Sequence, residues 1–286
     1  MIFNFVKMHG LGNDFIIPEI NEADLTDLSE LAKILCDRHT GIGADGILLV
    51  CNSNEENIRM RIFNSDGTEA EMCGNGIRCF AKYVYEKKII SDQKFTIETL
   101  AGKIIPELFI DDGIVTKVRV NMNTPKLIDD EESLINFNDD TISNISEKLH
   151  KKILINENIF HTSSLTLGVP HSILYVDEIV NAEIKQIGSL IEKHESFPKG
   201  TNVNFVKVIN DHEIIMRTWE RGAGQTLACG TGSCAAGVAS FLDGKTDKKI
   251  TVHLELGDLE IELIDNSVFM TGIAQQVFEG KISLNF

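Results

Sequence analysis

The runs CGNG (73–76) and CGTG (229–232) decide the fold of this chain, because each marks the same place in one of two similar halves. Their leading cysteines are 229 − 73 = 156 residues apart. At the same offset, IRMRIFN (58–64) aligns with IIMRTWE (214–220). A match that keeps its register over this distance predicts an internal duplication and not a chance similarity.

The alignment continues on both sides of these segments. Upstream, LGNDFII (11–17) aligns with LGVPHSI (167–173) at the same offset. Downstream, TIETLAGKIIPEL (96–108) aligns with TVHLELGDLEIEL (251–263) at an offset of 251 − 96 = 155. We place the lost residue in the cysteine runs themselves, since CGNGIRC is one residue longer than CGTGSC.

Both cysteine runs have the same local surroundings. Each follows an alternating strand pattern and a glycine-bearing loop, and each precedes a small-residue segment with helical spacing. This pattern predicts two α+β domains of one design, each with a cysteine at the start of a helix. The acidic stretch at 129–147 is interpreted as a linker between the halves with a short helix.

Composition narrows the class of protein. The 286 residues carry a net charge of −16, which argues against a nucleic-acid or anionic-membrane partner, since either would favour Lys and Arg. The start, MIFNFVKMHGLGNDF, has the pattern of a strand and a glycine loop and not of a secretory signal. We therefore expect a cytoplasmic protein. None of the six cysteines forms a CxxC pair, which weakens zinc and thioredoxin interpretations.

A cysteine at a helix start has chemical consequences. Unpaired N–H groups and the helix dipole create a positive field there, which should lower the thiol pKa from about 8.5 toward neutrality. Cys73 and Cys229 could then invert an α-carbon, one as the base on one face and the other as the acid on the opposite face. Glu220, nine residues before Cys229, and His171 are candidates for adjusting the two thiol pKa values.

The chain resembles the diaminopimelate epimerase family over nearly its full length. The resemblance is carried by KMHGLGNDFII (7–17), DRHTGIGADGILLV (37–50), FNSDGTEAEMCGNGIRC (63–79), GTNVNFV (200–206), ERGAGQTLACGTGSCAAGV (220–238) and MTGIAQQVFEG (270–280). It implies an isomerase that converts LL- to meso-diaminopimelate in lysine and peptidoglycan-precursor synthesis. It also implies a cytoplasmic homodimer that uses no pyridoxal phosphate, no other cofactor and no metal.

The resemblance further implies a fold with two pseudo-symmetric α+β domains. Each would be a mixed β-sheet or barrel wrapped around a central helix, and the last strand would return to the first domain. We expect an N-terminal domain of residues 1–124 plus 276–286, carrying Cys73, and a C-terminal domain of residues 125–275, carrying Cys229.

By the same resemblance, Cys73 and Cys229 are the two catalytic bases, and His171 and Glu220 modulate their pKa values. The remaining residues implied to bind substrate fall in two groups. The backbone N–H groups of four residues would hold the reacting carboxylate: Gly74, Asn75, Gly230 and Thr231. Four side chains would contact the far end of the amino acid: Asn13, Asn64, Asn202 and Arg221. Glu220 is counted among the substrate-binding residues as well.

Two positions depart from the common family pattern. Val169 stands in GVPH where many members have asparagine, and Gly46 stands in ADG where many have glutamine. Each change removes a polar contact of about 1 kcal/mol if it is a neutral hydrogen bond. These departures concern the choice of substrate and leave the cysteine pair intact.

Three alternatives stay open at this stage. The two cysteines could be structural residues at tight turns. The chain could be a racemase of another amino acid on the same two-thiol scaffold, such as a member of the proline racemase group; Arg221 and Asn202 favour diaminopimelate, because proline has no distal carboxylate. From a different class, it could be a redox-sensing or metal-sensing dithiol protein.

Overall fold

The computed structural model describes residues 2–20, 27–137 and 142–284. Within that part of the chain the helices are α1 (Leu28–Cys36), α2 (Gly74–Glu86), α3 (Ile142–Leu149), α4 (Asn181–Glu192) and α5 (Gly230–Leu242). In these regions of the chain, no helix is long and apolar enough to cross a bilayer.

Strands make up most of the remaining regular structure. Those that precede or follow α1 and α2 are β1 (Ile2–Gly10), β2 (Asn13–Pro18), β3 (Gly46–Cys51), β4 (Ile58–Asn64), β5 (Glu69–Ala70), β6 (Ile97–Thr99), β7 (Gly102–Ile104), β8 (Glu107–Asp111) and β9 (Ile114–Asn121). The later strands are β10 (Lys126–Leu127), β11 (Asp130–Leu134), β12 (His150–Ile155), β13 (Asn158–Leu167), β14 (Val169–Tyr175), β15 (Asn202–Asn210), β16 (Glu213–Glu220), β17 (Gly224–Thr226), β18 (Lys249–Leu254), β19 (Gly257–Ile264), β20 (Ser267–Gly272) and β21 (Gln275–Ser283).

The chain forms two units, residues 1–120 with 272–286 and residues 121–271. In the first unit, strands lie in the order β21-β1-β2-β3-β4-β6-β7, and β5 pairs with β4. In the second, they lie in the order β11-β10-β13-β14-β15-β16-β18-β19-β20, with β12 on β13 and β17 on β16. The last strand, β21, pairs antiparallel with β1. The return of the C-terminal strand to the first unit is thereby confirmed.

Strand registers confirm the internal duplication. In both units an antiparallel pair is flanked by parallel neighbours, β2 beside β3 and β4 beside β6 in the first, and β14 beside β15 and β16 beside β18 in the second. Pairs that correspond at an offset of 156 are Phe15↔Gly46 with His171↔Asn202, Ile47↔Phe63 with Val203↔Trp219, and Ile62↔Ala70 with Thr218↔Thr226. The two units therefore repeat one α+β design.

The predicted position of the lost residue is wrong. Helices α2 and α5 start 230 − 74 = 156 residues apart and end 242 − 86 = 156 residues apart, so the cysteine runs keep their register. The offset becomes 155 only at β6 and β18, where Ile58 pairs with Ile97 and Ile214 with Val252. A deletion within a helix would rotate every later side chain by about 100°. The loop after the helix accepts the deletion without that cost.

Small residues allow α5 to lie at the centre of its unit. The helix GTGSCAAGVASFL is buried along nearly its whole length and packs against β13, β14, β15, β16, β18 and β19. At Gly237 an added Cβ would lie 2.9 Å from Ile261 Cγ2, so a larger residue would push the sheet away. Helix α2 is buried in the same way from Gly74 to Val84. Both helices are thus enclosed and present their N-termini as fixed points.

The interpretation of residues 129–147 as an interdomain linker is wrong. Strand β11 lies in this stretch, and β10, its antiparallel partner, pairs in turn with β13. The stretch therefore belongs to the sheet of the second unit, whose boundary falls earlier, after residue 120. The short helix is confirmed as α3, while residues 138–141 lie outside the described part of the chain.

Candidate active site

Cys73 is the N-cap of α2. Its backbone is extended, with φ −142° and ψ 117°, and the N–H of Gly76 donates to its Sγ at 3.4 Å. The Sγ lies 3.5 Å from Asn13 Oδ1. Gly74 and Asn75, the first two residues of the helix, are buried directly after it. The structure therefore brings four of the predicted site residues of the first unit together.

A one-way chain of hydrogen bonds sets the orientation of Asn13. Its Nδ2 donates to Asp45 Oδ2 at 2.8 Å, which leaves its Oδ1 to face Cys73. Asn75 Nδ2 donates to the same Oδ1 at 3.2 Å, and Arg78 Nη2 donates to Asn75 Oδ1 at 2.9 Å. Sequence reasoning missed Asp45 and Arg78. The signal for Arg78 was an arginine between Ile77 and Cys79 directly after CGNG, where the structure buries it fully.

Asp14, the neighbour of Asn13, anchors this strand end. Its carboxylate lies 2.9 Å from Lys7 Nζ and 2.7 Å from Arg38 Nη2, and it accepts from the N–H of Asp45 at 3.1 Å. Burial alone would raise the Asp14 pKa, but hydrogen bonds from Arg38 and Lys7 outweigh it and hold the pKa at about 2. The carboxylate is therefore ionised across the physiological range and fixes β2 beside the cysteine.

Cys229 is the N-cap of α5 and occupies the equivalent place in the second unit. The residue is 4% exposed, and its Sγ lies 3.6 Å from Thr231 Oγ1. Burial raises the pKa of the Cys229 thiol well above its usual value, and the adjacent Glu220 carboxylate raises it further. The expectation that this helix start lowers the pKa is wrong for Cys229. Loss of solvent and a nearby negative charge outweigh the helix field.

Glu220 and Asn202 are fixed by short local contacts. Glu220, at the end of β16, accepts from Thr226 Oγ1 at 2.6 Å. Asn202, at the start of β15, accepts through Oδ1 from the backbone N–H of Arg221 at 2.8 Å. The Arg221 side chain is exposed and donates to the carbonyl of Lys199 at 2.8 Å. The structure thus places Glu220 beside Cys229, and it orders Arg221 through its backbone.

His171 is fully buried in β14, next to β15. Its Nδ1 lies 3.2 Å from Asn204 Nδ2, and Asn204 Oδ1 accepts from Thr218 Oγ1 at 3.0 Å. Burial lowers the His171 pKa to about 3, and the positive charge of Arg221 contributes in the same direction. The imidazole is therefore neutral. Asn204 and Thr218 were missed, although a polar residue in the apolar strand VNFV was visible in the sequence.

The remaining predicted positions have different surroundings. Asn64, at the exposed end of β4, donates through Nδ2 to Thr68 Oγ1 at 3.0 Å. Val169 begins β14 opposite Leu167 and is partly buried. At Gly46 an added Cβ would lie 2.6 Å from the carbonyl oxygen of Phe63 in the neighbouring strand β4, so the space at this position does not fit a side chain. The glutamine that the family pattern predicts at this position would require the backbone to move.

Gly232→Ala should destabilise the second unit more than Gly76→Ala destabilises the first, although both glycines are third in equivalent helices. An added Cβ at Gly232 would lie 2.5 Å from Asn204 Oδ1 and 3.2 Å from Cys229 Sγ, whereas at Gly76 the nearest atom is 3.3 Å away. We expect a loss on the order of 1–3 kcal/mol for Gly232→Ala. Gly76→Ala should stay within about 1 kcal/mol, because alanine favours the helix. The thermal unfolding midpoints of the two variants measure these losses of stability, and equal losses would contradict this packing.

Asp14→Asn should remove an acid-sensitive part of the stability. Because the folded pKa of about 2 lies below the ordinary 3.8, the ionised carboxylate stabilises the fold above pH 4, and this contribution is lost as pH falls toward 2. At neutral pH its size is roughly 2 kcal/mol. Urea unfolding of both proteins between pH 7 and pH 2.5 should show a stability difference that shrinks with acid. A difference independent of pH would refute the ion cluster.

The family model and the sequence relatives that match this chain belong to one family. The chain matches the family model for diaminopimelate epimerase over residues 5–128 and 163–277. A diaminopimelate epimerase of Caldanaerobacter subterraneus subsp. tengcongensis is 50% identical over 284 residues, which cover 98% of this chain and 99% of the relative. One of Methanococcus maripaludis is 44% identical over 285 residues, covering 98% and 99%.

Solved structures show the same fold at low sequence identity. A hydroxyproline epimerase from Agrobacterium vitis superposes with a TM-score of 0.68 at 14% identity, covering 99% of this chain and 93% of that one. A phenazine biosynthesis protein of the PhzF family from Bacillus anthracis gives 0.67 at 16% identity, covering 99% and 100%. The fold is thus shared across several chemistries, and the sequence relatives identify the family. The chain belongs to the diaminopimelate epimerase family of isomerases.

Proposed function

We propose that this chain interconverts LL- and meso-diaminopimelate, with Cys73 and Cys229 acting on opposite faces of one α-carbon. The observation that carries the proposal is the position of the two cysteines, each the N-cap of an equivalent 13-residue helix. The choice of substrate is supported by relatives named diaminopimelate epimerase, which match nearly the whole chain at 42–50% identity.

The proposed reaction needs two proton transfers. A thiolate takes the α-hydrogen, which breaks the C–H bond and forms S–H, and the electron pair moves toward the substrate carboxylate. The second thiol then gives its proton to the opposite face, which forms the new C–H bond and leaves a thiolate. The product has the inverted configuration, and the two sulfurs have exchanged roles. The reverse reaction uses the same pair in the opposite order.

The surroundings of Cys229 suit the role of proton donor in one direction of the epimerisation. Burial and Glu220 both disfavour its thiolate, so this thiol is protonated at neutral pH. A buried acid beside a carboxylate can release its proton to a strongly basic carbanion and then be reprotonated. Glu220 is itself fixed by Thr226, which keeps the carboxylate beside the sulfur. We propose that Glu220 modulates the pKa of Cys229 in this way. We propose that His171 also modulates the pKa values of the catalytic thiols.

The helix starts provide the electrostatic stabilisation that the carbanion requires. The first N–H groups of a helix have no intrahelical partners, and they carry the positive end of the dipole. We propose that the N–H groups of Gly74, Asn75, Gly230 and Thr231 hold the reacting carboxylate as its charge grows. All four residues open α2 or α5. Oriented dipoles of this kind replace the electron sink that a cofactor would otherwise supply.

We assign the distal end of the substrate to Asn13, Asn64, Asn202 and Arg221. A guanidinium fork suits a carboxylate, and an asparagine can both donate and accept. The carbonyl contact of Arg221 uses Nη1 and is exposed, so a ligand can compete for this side chain. Val169 can supply only apolar contact where the family pattern predicts asparagine. We also propose that the protein is a cytoplasmic homodimer. Each subunit would have two functional domains, residues 1–124 plus 276–286 and residues 125–275.

Cys73→Ala and Cys229→Ala should each lower kcat for epimerisation of LL-diaminopimelate by about 10³-fold or more, since each removes one of the two proton carriers. The assay uses purified protein without added cofactor and separates the stereoisomers by chiral chromatography. Cys36→Ala and Cys51→Ala are matched controls, because both cysteines are buried in the apolar core of the first unit. They should retain kcat within about twofold. An equal loss in a control would show that the wrong sulfurs were assigned.

A substrate panel separates this proposal from racemisation of another amino acid. We expect turnover of LL- and meso-diaminopimelate, and kcat/KM at least about 10²-fold lower for proline, hydroxyproline and lysine, because none of these three has the distal carboxylate that Arg221 and Asn202 would bind. Equal or faster turnover of proline would favour the racemase alternative. A protein that turns over none of the panel but binds zinc, or cycles between dithiol and disulfide, would favour the sensing alternative.

A further inference from the structure

The hydrogen bond between the buried side chains of His171 and Asn204 has one donor and one acceptor, and their identity determines what His171 can do in the reaction. Asn204 lies in β15, between Ile173 of β14 and Thr218 of β16, and is fully buried. Its side chain reaches both His171 Nδ1 and Thr218 Oγ1. A buried asparagine with two partners has one favourable amide orientation, and that orientation determines which imidazole nitrogen can carry a proton.

The start of α5 fixes the orientation of the Asn204 amide. An added Cβ at Gly232 would lie only 2.5 Å from Asn204 Oδ1, so this oxygen lies against the first turn of the helix. The first turn carries the positive end of the helix dipole, which favours an oxygen there and disfavours an NH₂ group. The Thr218 hydroxyl donates to the same oxygen at 3.0 Å. The Nδ2 group must then be the atom that faces His171.

The consequence for His171 follows from its neutral state. Nδ2 of Asn204 is a donor only, so His171 Nδ1, 3.2 Å away, must be the acceptor and carries no proton. A neutral imidazole has one ring proton, which must therefore be on Nε2. This Nε2 is buried and has no hydrogen-bond partner among the residues that the structure describes. A buried donor without a partner is unfavourable, and this cost is recovered when a ligand or thiolate accepts from it.

We propose that Asn204 is a positioning residue that fixes His171 as its Nε2–H tautomer, so that His171 offers the catalytic site a hydrogen-bond donor and not a base. The inference rests on the proposed function for its catalytic meaning, but the tautomer itself is a property of the free protein. In this role His171 stabilises negative charge on a sulfur or on the substrate carboxylate. The burial that lowers the His171 pKa to about 3 acts in the same sense, because it prevents protonation of Nδ1 at neutral pH.

Long-range ¹H–¹⁵N correlation spectra of the histidine-labelled protein without substrate test this directly. The His171 signals are identified by their loss in His171→Gln. We expect a protonated Nε2 and an unprotonated Nδ1 in the wild type between pH 6 and 8. Asn204→Asp replaces the donor with a carboxylate oxygen of the same shape, so the proton should move to Nδ1. A wild-type proton on Nδ1, or an unchanged tautomer in a folded Asn204→Asp, would overturn the proposal.

Kinetics then test the catalytic role. Asn204→Asp should lower kcat by at least about tenfold with a smaller change in KM, because the transition state loses a donor. Ser172→Ala is the matched control: Ser172 follows His171 in β14, is fully buried, and loses a 3.0 Å contact with Ser164 Oγ, whereas the side chain of Asn204 contacts His171 and Thr218. It should keep the wild-type tautomer and kcat within about twofold. Full activity of Asn204→Asp with a shifted proton would overturn the catalytic role.

The two parts of the experiment fail separately. If the wild type shows Nε2–H but does not epimerise diaminopimelate, the proposed function is refuted and the assignment of Asn204 stands. If the wild type epimerises diaminopimelate but shows Nδ1–H, the proposed function stands and Asn204 does not have this role. The wild-type spectrum alone is decisive should Asn204→Asp fail to fold.

Discussion

The structure depends on one constraint, which is that a helix N-terminus leaves several peptide N–H groups without partners. Enclosing such an end within a sheet is unfavourable unless something negative or polar satisfies it. Both α2 and α5 begin at an N-cap cysteine with glycines in the first turn; the Sγ of Cys73 accepts from the N–H of Gly76, whereas Cys229 makes no side-chain cap hydrogen bond. The same N–H groups that need a partner are therefore available to a substrate carboxylate. Under the proposed function, the requirement for a stable helix start and the requirement for an anion site coincide in this chain.

Around this constraint the chain repeats one design twice, with different electrostatics in each copy. The first unit surrounds its cysteine with a directed chain from Arg78 through Asn75 and Asn13 to Asp45. The second places Glu220 beside Cys229 and Asn204 against the first turn of α5, with Asn204 in contact with the buried His171. Since the strand registers are equivalent, these differences arise from side chains alone. Equivalent positions carry different side chains, such as Phe15 in the first unit and His171 in the second, on one scaffold.

Most of the fold could be predicted because duplication converts a weak local pattern into two independent observations. The helix starts at Cys73 and Cys229, the preceding strands and the family all follow from residues that match at one offset. The exact place of the one-residue deletion could not be found, since small residues in CGNGIRC and CGTGSC align equally well with or without a gap. The structure resolves this ambiguity because a helix tolerates no deletion at its centre. The linker assignment was wrong because acidic composition indicates exposure and does not exclude a strand: β11 lies at the end of the strand order of its sheet.

The site was less predictable, because it depends on burial that no local pattern shows. A cysteine at a helix start suggested a lowered pKa, whereas the enclosure of Cys229 and the proximity of Glu220 raise it. Asn204 was visible in the sequence but had no assigned partner until β14, β15 and β16 were seen side by side. Residues that contact substrate through a motif were readily proposed. Residues that act by orienting them, such as Asp45 and Asn204, required the three-dimensional neighbours.

The central claim is that the α-carbon loses its hydrogen to one sulfur and gains another from the second. Early turnover of LL-diaminopimelate in D2O tests this most directly, by mass analysis of both product and recovered substrate. Two thiols predict that the first meso product carries one solvent deuterium at the inverted carbon, while recovered substrate keeps its original hydrogen. If the substrate's own hydrogen appears in the product, or deuterium enters substrate and product equally from the first turnover, a single base serves both faces and the account is contradicted.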